Sequence, residues 1–589
     1  MKNKHWPTTR ALAAWTASAA STTLLLVACG GGGGGGSGGI AATPEPAPEA
    51  VPEAALSISG TAATGAALAN RPVDVKCAKG VNTITTDATG RYTIAVAGGT
   101  LPCLLKVTAP DNSTLHSVAT GTGTTAVSNI TPATQLIVAR LGASDPAAYF
   151  TAFDANAAQF VTRSAVANAQ KAVVAALTTL GVNMSALGDL VTGTLTPPVG
   201  GAAGNAYDQA LDALKTKLVG GTTLATLAAA QVAQAPAPGS AVLLPDNLLD
   251  AAAATHCPAL RSATYRVIVP IPRTPFANQT ETFTLNASNL TTVDADGGTT
   301  TLVPVQNSPC RFTFNSGRDE LVVSQAGVIV ARGTNDNGAT YRARIAFPVQ
   351  SHTLADLAGI WNTIGTQVTG VAGVFVAAAN TTTVNDVGTL TGQTLGCFNE
   401  TTWSVQGADC SNMTPSVKFA AHADGGFEMR DVTTNEIGGR VYGYRTGGGE
   451  LMGVIVGADV TFITKQRTLT LPPIGRVTTN VGPGINASML APNAFGNGNQ
   501  QTILSQNAAA GSYVRTAKTI GGTDDHSQTL TNNSPRNGYV MRTAATAVPT
   551  ISGGTVNVSE FTALPMRGTG LSAVVLPANK TLVLSVDLP

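Results

Sequence analysis

The sequence predicts an α+β protein that is mainly β: an N-terminal β-sandwich, a central helical segment and a large antiparallel β region at the C-terminal end. Three observations carry that reading. Alternating apolar runs such as Pro72-Val-Asp-Val-Lys-Cys77 and Tyr265-Arg-Val-Ile-Val269 recur towards both ends, divided by Asp/Asn-Gly turns. Between about residues 130 and 250, apolar residues instead recur at helical spacing. Charged residues make up only 11%, and Thr, Ala, Gly and Asn take their place, as on a polar, β-rich surface. A chain of 589 residues has room for roughly three or four domains.

In chain order, Lys2, Lys4, His5 and Arg10 precede an apolar and small-residue stretch from Ala11 to Ala28, then Cys29 and the glycines Gly30 to Gly36. A positive region followed by an apolar one ending at small residues is the layout of a secretion signal, here residues 1–28. A membrane-spanning helix is the alternative reading. Against it, Thr16, Ser18, Ser21, Thr22 and Thr23 interrupt the stretch, and glycines follow rather than a basic cluster. The ending Leu26-Val27-Ala28-Cys29 resembles the lipobox of bacterial lipoproteins. That resemblance implies cleavage before Cys29 and its acylation, palmitate included. Gly30 rather than Asp in the next position implies the outer membrane. Residues 29–55 read as a tether: a flexible glycine run to Gly39, then a stretch stiffened by Pro44, Pro46, Pro48 and Pro52.

Residues 56–119 read as strands. Val73, Val75 and Cys77 share one face, as do Cys103, Leu105 and Val107, and a turn at Asp87 to Gly90 leads into Tyr92, Ile94 and Val96. Gly60 to Val75 with Thr86-Asp87-x-x-Gly90-x-Tyr92 resembles the carboxypeptidase-regulatory-like, transthyretin-type β-sandwich. That family is a structural module, so the likeness implies no catalytic residues. Residues 127–250 form the helical segment. Thr131-Pro132 starts a helix that Gly142 stops, Asp145-Pro146 starts another, Ala165 to Leu180 is a third, Leu187 and Leu190 follow Ser185, and Tyr207, Leu211, Leu214 and Leu218 form one stripe. These stripes carry no His, Cys or Glu-x-x-His, so they read as plain packing. Residues 257–589 are β-rich, with two possible subdomains, 257–350 and 351–589. Turns are expected at Asp296-Gly297-Gly298, Asn337-Gly338 and Asp424-Gly425-Gly426, and a closing hairpin at Leu571 to Leu576 and Thr581 to Val586.

Of seven cysteines, Cys29 belongs to the anchor. The other six are even in number, suit an oxidising compartment and show no CxxC spacing. They fall into sequential neighbours, which predicts Cys77–Cys103, Cys257–Cys310 and Cys397–Cys410. Gly359-Ile360-Trp361, behind a short helical Thr353 to Ala358, resembles the GxW opening of a lipocalin-type barrel. Gly359 and Trp361 are thus candidates for closing a small barrel, either filled by its own side chains or holding a ligand.

No motif reaches a catalytic assignment. Gly35-Gly36-Ser37-Gly38-Gly39 fits GxSxG but lies in the tether, with no strand before it and no helix after. His116, His256, His352, His422 and His526 are scattered, and none has metal-ligand spacing. His422-Ala-Asp424 and Asp524-Asp525-His526-Ser527 read as polar turns, Asp294-Ala-Asp296-Gly297 as a β-turn, and Arg318-Asp319-Glu320 as a solvated hairpin tip. No cofactor and no metal is expected. A net charge of +1 offers no basic field for phosphates, which argues against nucleic acid. The expected partners are the membrane, through the anchor, and an envelope protein, polysaccharide or other surface ligand. With Thr131-Pro132, Leu357-Ala358-Gly359-Ile360-Trp361, Asp424-Gly425-Gly426-Phe427 and Met566-Arg567-Gly568-Thr569-Gly570, residues 56–589 are also similar to large lipoproteins of Gram-negative bacteria, a likeness that implies no activity. The expectation is a lipid-anchored envelope protein, periplasmic or surface-facing, that presents β-domains for a structural or binding role. The alternatives are a lipocalin-like carrier of an apolar small molecule and a hydrolase with a non-local catalytic site.

Overall fold

The computed structural model describes residues 55–589 except 200, 219–221, 270–279, 335–339, 369–374, 385–387, 389, 393–416, 458–459, 487–489, 497, 521, 523–524, 580 and 589. The signal and tether, Cys29, Cys397, Cys410, the Asn337-Gly338 turn and Asp524 lie outside the described residues.

The N-terminal part is a sandwich of two sheets. One orders Arg91–Val96, Leu56–Thr61 and Thr125–Val127; the other orders Val81–Thr85, Pro72–Lys79, Thr100–Thr108 and Thr114–Ala119. Period-two alternation drives the packing: Pro72–Lys79 buries Val73, Val75 and Cys77, and Arg91–Val96 buries Tyr92, Ile94 and Val96. Cys77 stands opposite Cys103 in the ladder and is bonded to it. Leu56–Thr61 takes Thr125–Val127 as a parallel neighbour, so the sandwich runs past residue 119.

Six helices follow among the described residues: α1 (Pro132–Gly142), α2 (Pro146–Ala152), α3 (Ala155–Ala158), α4 (Arg163–Thr179), α5 (Ala206–Lys217) and α6 (Leu224–Ala233). Thr131 caps α1 through a capping box with Thr134, and Asp145 caps α2 by accepting from Ala147 and Ala148 N–H. The stop of α1 differs from expectation. Gly142 lies inside the helix, and Ala143, at φ +47°, makes the left-handed turn. Gly142 is needed for a different reason: a Cβ there would stand 2.6 Å from the Tyr149 ring. Around Ser185 the chain makes a single 3₁₀ turn, Ser185–Leu187.

From Cys257 on, three sheets surround a shared core. The first has nine strands, and its two edges, Thr299–Thr301 and Val303–Pro304, are separated in sequence only by Leu302, so the sheet has curled almost into a barrel. Tyr265, Phe283, Phe312 and Phe314 fill its interior, with the Tyr265 and Phe283 rings stacked 5.5 Å apart. The second sheet has eight strands, running from Leu390–Gly392 at one edge to Val417–Ala421 at the other. The third closes: Val477–Val481, Asn499–Asn507, Ser512–Thr519, Asp525–Asn532, Val540–Arg542, Phe561–Met566, Leu571–Leu576 and Thr581–Asp587 pair in order, and the last pairs back onto the first. Phe347 from the first sheet, Tyr444 and Phe462 from the second, and Leu564 and Leu584 from the barrel all belong to one apolar cluster.

Two polar sites depart from the sequence reading. Arg318-Asp319-Glu320 is a solvated tip only in part: Asp319 is 0% exposed and accepts from Thr334 N–H and Asn315 Nδ2. Glu320 pairs with Arg311 at 3.6 Å and Arg332 at 4.0 Å. Arg318 is exposed at the tip as expected, while these partners draw the two carboxylates inward, which composition alone does not reveal. His526 sits not in a turn but in the strand Asp525–Asn532.

Candidate functional site

The curled first sheet and the closed barrel differ in what fills them, and that difference locates the site. In the first, aromatic rings occupy the interior. In the closed barrel the strands Leu571–Leu576 and Thr581–Asp587 turn Leu571, Ala573, Val575, Leu582, Leu584 and Val586 outward onto the shared core. Strict alternation then leaves Ser572, Val574, Val583, Ser585 and Asp587 for the inside. The inward positions of the other strands add Thr478, Asn480, Gln501, Ala563 and Pro565 beside the larger Ile503, Tyr513, Leu530 and Phe561. Small and polar residues cannot fill an eight-stranded ring, and a cavity of about 380 Å³ remains.

Its lining is amphipathic. Ile503, Tyr513, Leu530, Val540, Phe561 and Ala563 form an apolar cluster on one side. The charged lining residues are Arg476, Arg515 and Asp587. Arg515 Nη1 donates to Gln501 Oε1 at 2.5 Å and Nη2 to Gln528 Oε1 at 3.4 Å, while Nε is out of solvent and has no hydrogen-bond partner. The guanidinium thus has amides, not carboxylates, as its bonded partners, and burial pulls its pKa down. Burial pushes the Asp587 carboxyl above the usual carboxylate range, against the pull of Arg476 and Arg515. Arg476 and Asp587 also border two smaller clefts that pass Val242, so they stand where the cavity meets the surface.

The candidates from the sequence lie elsewhere. Gly359 and Trp361 belong to the second sheet, whose edge strands Leu390–Gly392 and Val417–Ala421 do not pair with each other among the described residues. Trp361 is 2% exposed, packs with Leu357, Phe427 and Leu451, and donates from Nε1 to Leu357 O at 2.6 Å. The GxW motif thus marks a core. The barrel with the cavity is the one that follows it, whose strands bear no such motif. Cys257 is bonded to Cys310.

Among the histidines, His116 Nδ1 is 2.9 Å from Gln135 Oε1, His256 Nε2 is 3.1 Å from Ser308 O, and His526 Nε2 is 2.8 Å from Gln528 Nε2. Burial lowers His352 to a pKa of about 4, so it is neutral at physiological pH. His422 is more than the turn the sequence predicts. Its Nδ1 lies 2.8 Å from Asp424 Oδ1, and its Nε2 faces Arg440 at 3.0 Å and Glu428 at 3.8 Å. An Asp-His pair whose outer nitrogen faces a guanidinium has no nucleophile to activate. The described residues contain no cluster of three or more His, Cys, Asp or Glu able to hold a metal ion.

No protein-family model matches the sequence, and no curated protein matches it either. Among solved structures, a DUF3598-family protein of unknown function from Nostoc punctiforme is 11% identical, with 40% of this chain and 98% of that one covered, at a TM-score of 0.14. A double mutant of transferrin binding protein B from Haemophilus parasuis is 8% identical over 55% and 75% of the two chains, TM-score 0.14. Transferrin binding protein B from serogroup B Neisseria meningitidis is 9% identical over 56% and 78%, TM-score 0.14. Superpositions this poor carry no argument about the present chain.

Proposed function

We propose that this chain is a lipid-anchored envelope protein whose C-terminal barrel binds a small amphipathic molecule carrying an anionic group. The observation that supports this most is the cavity itself, which pairs an apolar wall with Arg515 inside a ring that the neighbouring sheets buttress. A ligand with an anionic group would complete the partners of Arg515 and lay its apolar part on Tyr513, Leu530 and Phe561. The anchor reading rests on Leu26-Val27-Ala28-Cys29. It predicts that the wild-type chain takes up labelled palmitate in a Gram-negative host and that Cys29→Ala does not; equal labelling of both would overturn it.

The binding reading is tested with an anilinonaphthalene sulfonate, whose charge is constant across the working pH range. Probe emission should rise on mixing with the wild-type protein and rise markedly less with Val583→Trp, which places an indole in the lumen. The pH dependence has a definite sign. Because burial raises the Asp587 pKa, that carboxyl gains its proton early as pH falls, and a negative charge leaves the cavity. Sulfonate affinity should therefore climb, roughly tenfold for one like charge removed, as pH drops through that titration. Asp587→Asn should bind at the low-pH strength throughout. A probe that binds Val583→Trp as well as wild type would rule out the lumen.

A further inference from the structure

A second cleft, of about 490 Å³, opens between the helical segment and the second sheet. It shares no lining residue with the barrel cavity. Tyr149 and Phe160 come from the helical side, Ile360 from the start of Gly359–Val368, and Lys465, Gln466 and Arg467 from the end of Val460–Lys465 and the residues after it.

The charges around this cleft do not balance. Arg445 is matched by Asp356 at 2.6 Å. Arg467 and Arg567 share the one carboxylate of Glu450, at 3.2 and 3.6 Å. Lys465 has no ion pair or hydrogen bond among the described residues; its Nζ rests 5.7 Å from the centre of the Trp361 ring. It is half-buried, and burial, with Arg445 and Arg467 adding to it, pulls its pKa down. Asp356 and Glu450 attract it from a distance, but each already serves an arginine, so a partly desolvated ammonium on a ring face gains from an anion that joins it. Phe160 and Tyr149 line the cleft from the helical side, and Ile360, which the register places on the opposite sheet face from Lys465 and Trp361, leaves 45% of its surface open at the strand end. Cation, apolar wall and amide together specify a ligand chemistry.

We infer that this cleft is a binding site for a small organic carboxylate with an apolar flank, its carboxylate on Lys465 and its flank against Phe160 and Tyr149. The site is independent of the barrel and stands whether or not the lumen binds anything. Its test uses benzoate as probe and calorimetric titration as readout, on the protein carrying Val583→Trp so that the lumen is filled. Benzoate should bind this protein, and benzyl alcohol, which keeps the ring and loses the charge, should bind at least roughly tenfold more weakly. Lys465→Met should lose benzoate by a similar factor, and Lys465→Arg should retain it. Because Lys465→Met could disturb folding, a second measurement stands beside it. Lysine acylation at limiting acetic anhydride should label Lys465 ahead of exposed lysines near neutral pH, and benzoate should protect it. Absence of benzoate binding at millimolar concentration, equal binding of benzyl alcohol, or labelling of Lys465 that benzoate leaves unchanged would each overturn the assignment.

Discussion

Glu450→Gln is expected to destabilise the protein by about 3–5 kcal/mol, the usual cost of removing one partner from a buried ion pair. Glu450 is 1% exposed, and its Oε1 lies 3.2 Å from Arg467 Nε and 3.6 Å from Arg567 Nη1. Its Oε2 is buried without a hydrogen bond, so the carboxylate is held by charge and not by a full set of donors. Losing the charge strands the Arg567 guanidinium, which is more enclosed than Arg467. The position matters as much as the charge. Glu450 ends the turn Gly447-Gly448-Gly449, where three parts of the chain meet. Gly447 N–H donates to Leu243 O at 2.9 Å, Thr162 Oγ1 donates to Gly447 O, and Arg567 Nη2 donates to Pro238 O at 3.0 Å. A Cβ on Gly447 would fall 1.9 Å from Leu244 O, and Gly449 is at φ +89°, so the turn admits few substitutes. The variant should therefore lower the urea midpoint and also expose the strap around residues 236–244 to protease before the sheets unfold. A Glu450→Gln protein with the wild-type midpoint and the wild-type cleavage pattern would show that the triad does not hold this joint.

How much of this was legible beforehand follows from where each signal lives. Period-two alternation is local, so strands such as Pro72–Lys79 and Arg91–Val96, and the side of each that is buried, could be read directly. Caps are local too, which is why Thr131 and Asp145 mark the starts of α1 and α2. The cavity is not local. Leu582, Leu584 and Val586 read as a core face, and they are one, but that core lies outside the ring. Ser572, Ser585, Thr478 and Asn480 read as the solvent side of ordinary strands, yet closure of the barrel turns that side into a lumen. Alternation names two faces and is silent on which becomes the interior when the sheet closes. The same reasoning covers Asp319 and Glu450, whose acidic side chains suggest solvent until distant segments cover them. The GxW motif pointed to the second sheet because a single short match carries no information about where a ring closes.

The second large effect concerns Cys257–Cys310. Replacing both cysteines by alanine is expected to cost about 4 kcal/mol on the chain-entropy estimate for a closed loop of this length. The bond spans 53 residues, against 26 for Cys77–Cys103. Loop length alone separates the two by only about 0.6 kcal/mol, since closure entropy grows as a logarithm. The structural contexts widen the gap. Cys77 and Cys103 already face each other across a hydrogen-bonded ladder, so the native pairing of Pro72–Lys79 with Thr100–Thr108 restrains the same residues. Cys257 belongs to Cys257–Arg261, which among the described residues pairs only with Ala253–Ala254 in a small sheet of its own. Cys310, at φ +59°, precedes Arg311–Phe314 of the nine-stranded sheet, so the bond joins two sheets that share no ladder. Both sulfurs lie in the core with Phe312 and Phe314, and cutting the link should loosen the segment that closes over those rings. Urea midpoints of the two double-alanine proteins should accordingly both fall, with Cys257→Ala/Cys310→Ala the lower, and amide exchange should quicken first in residues 253–261. If the Cys77→Ala/Cys103→Ala protein proves the less stable of the two, the ladder is not sharing the load of its disulfide and the argument from context fails.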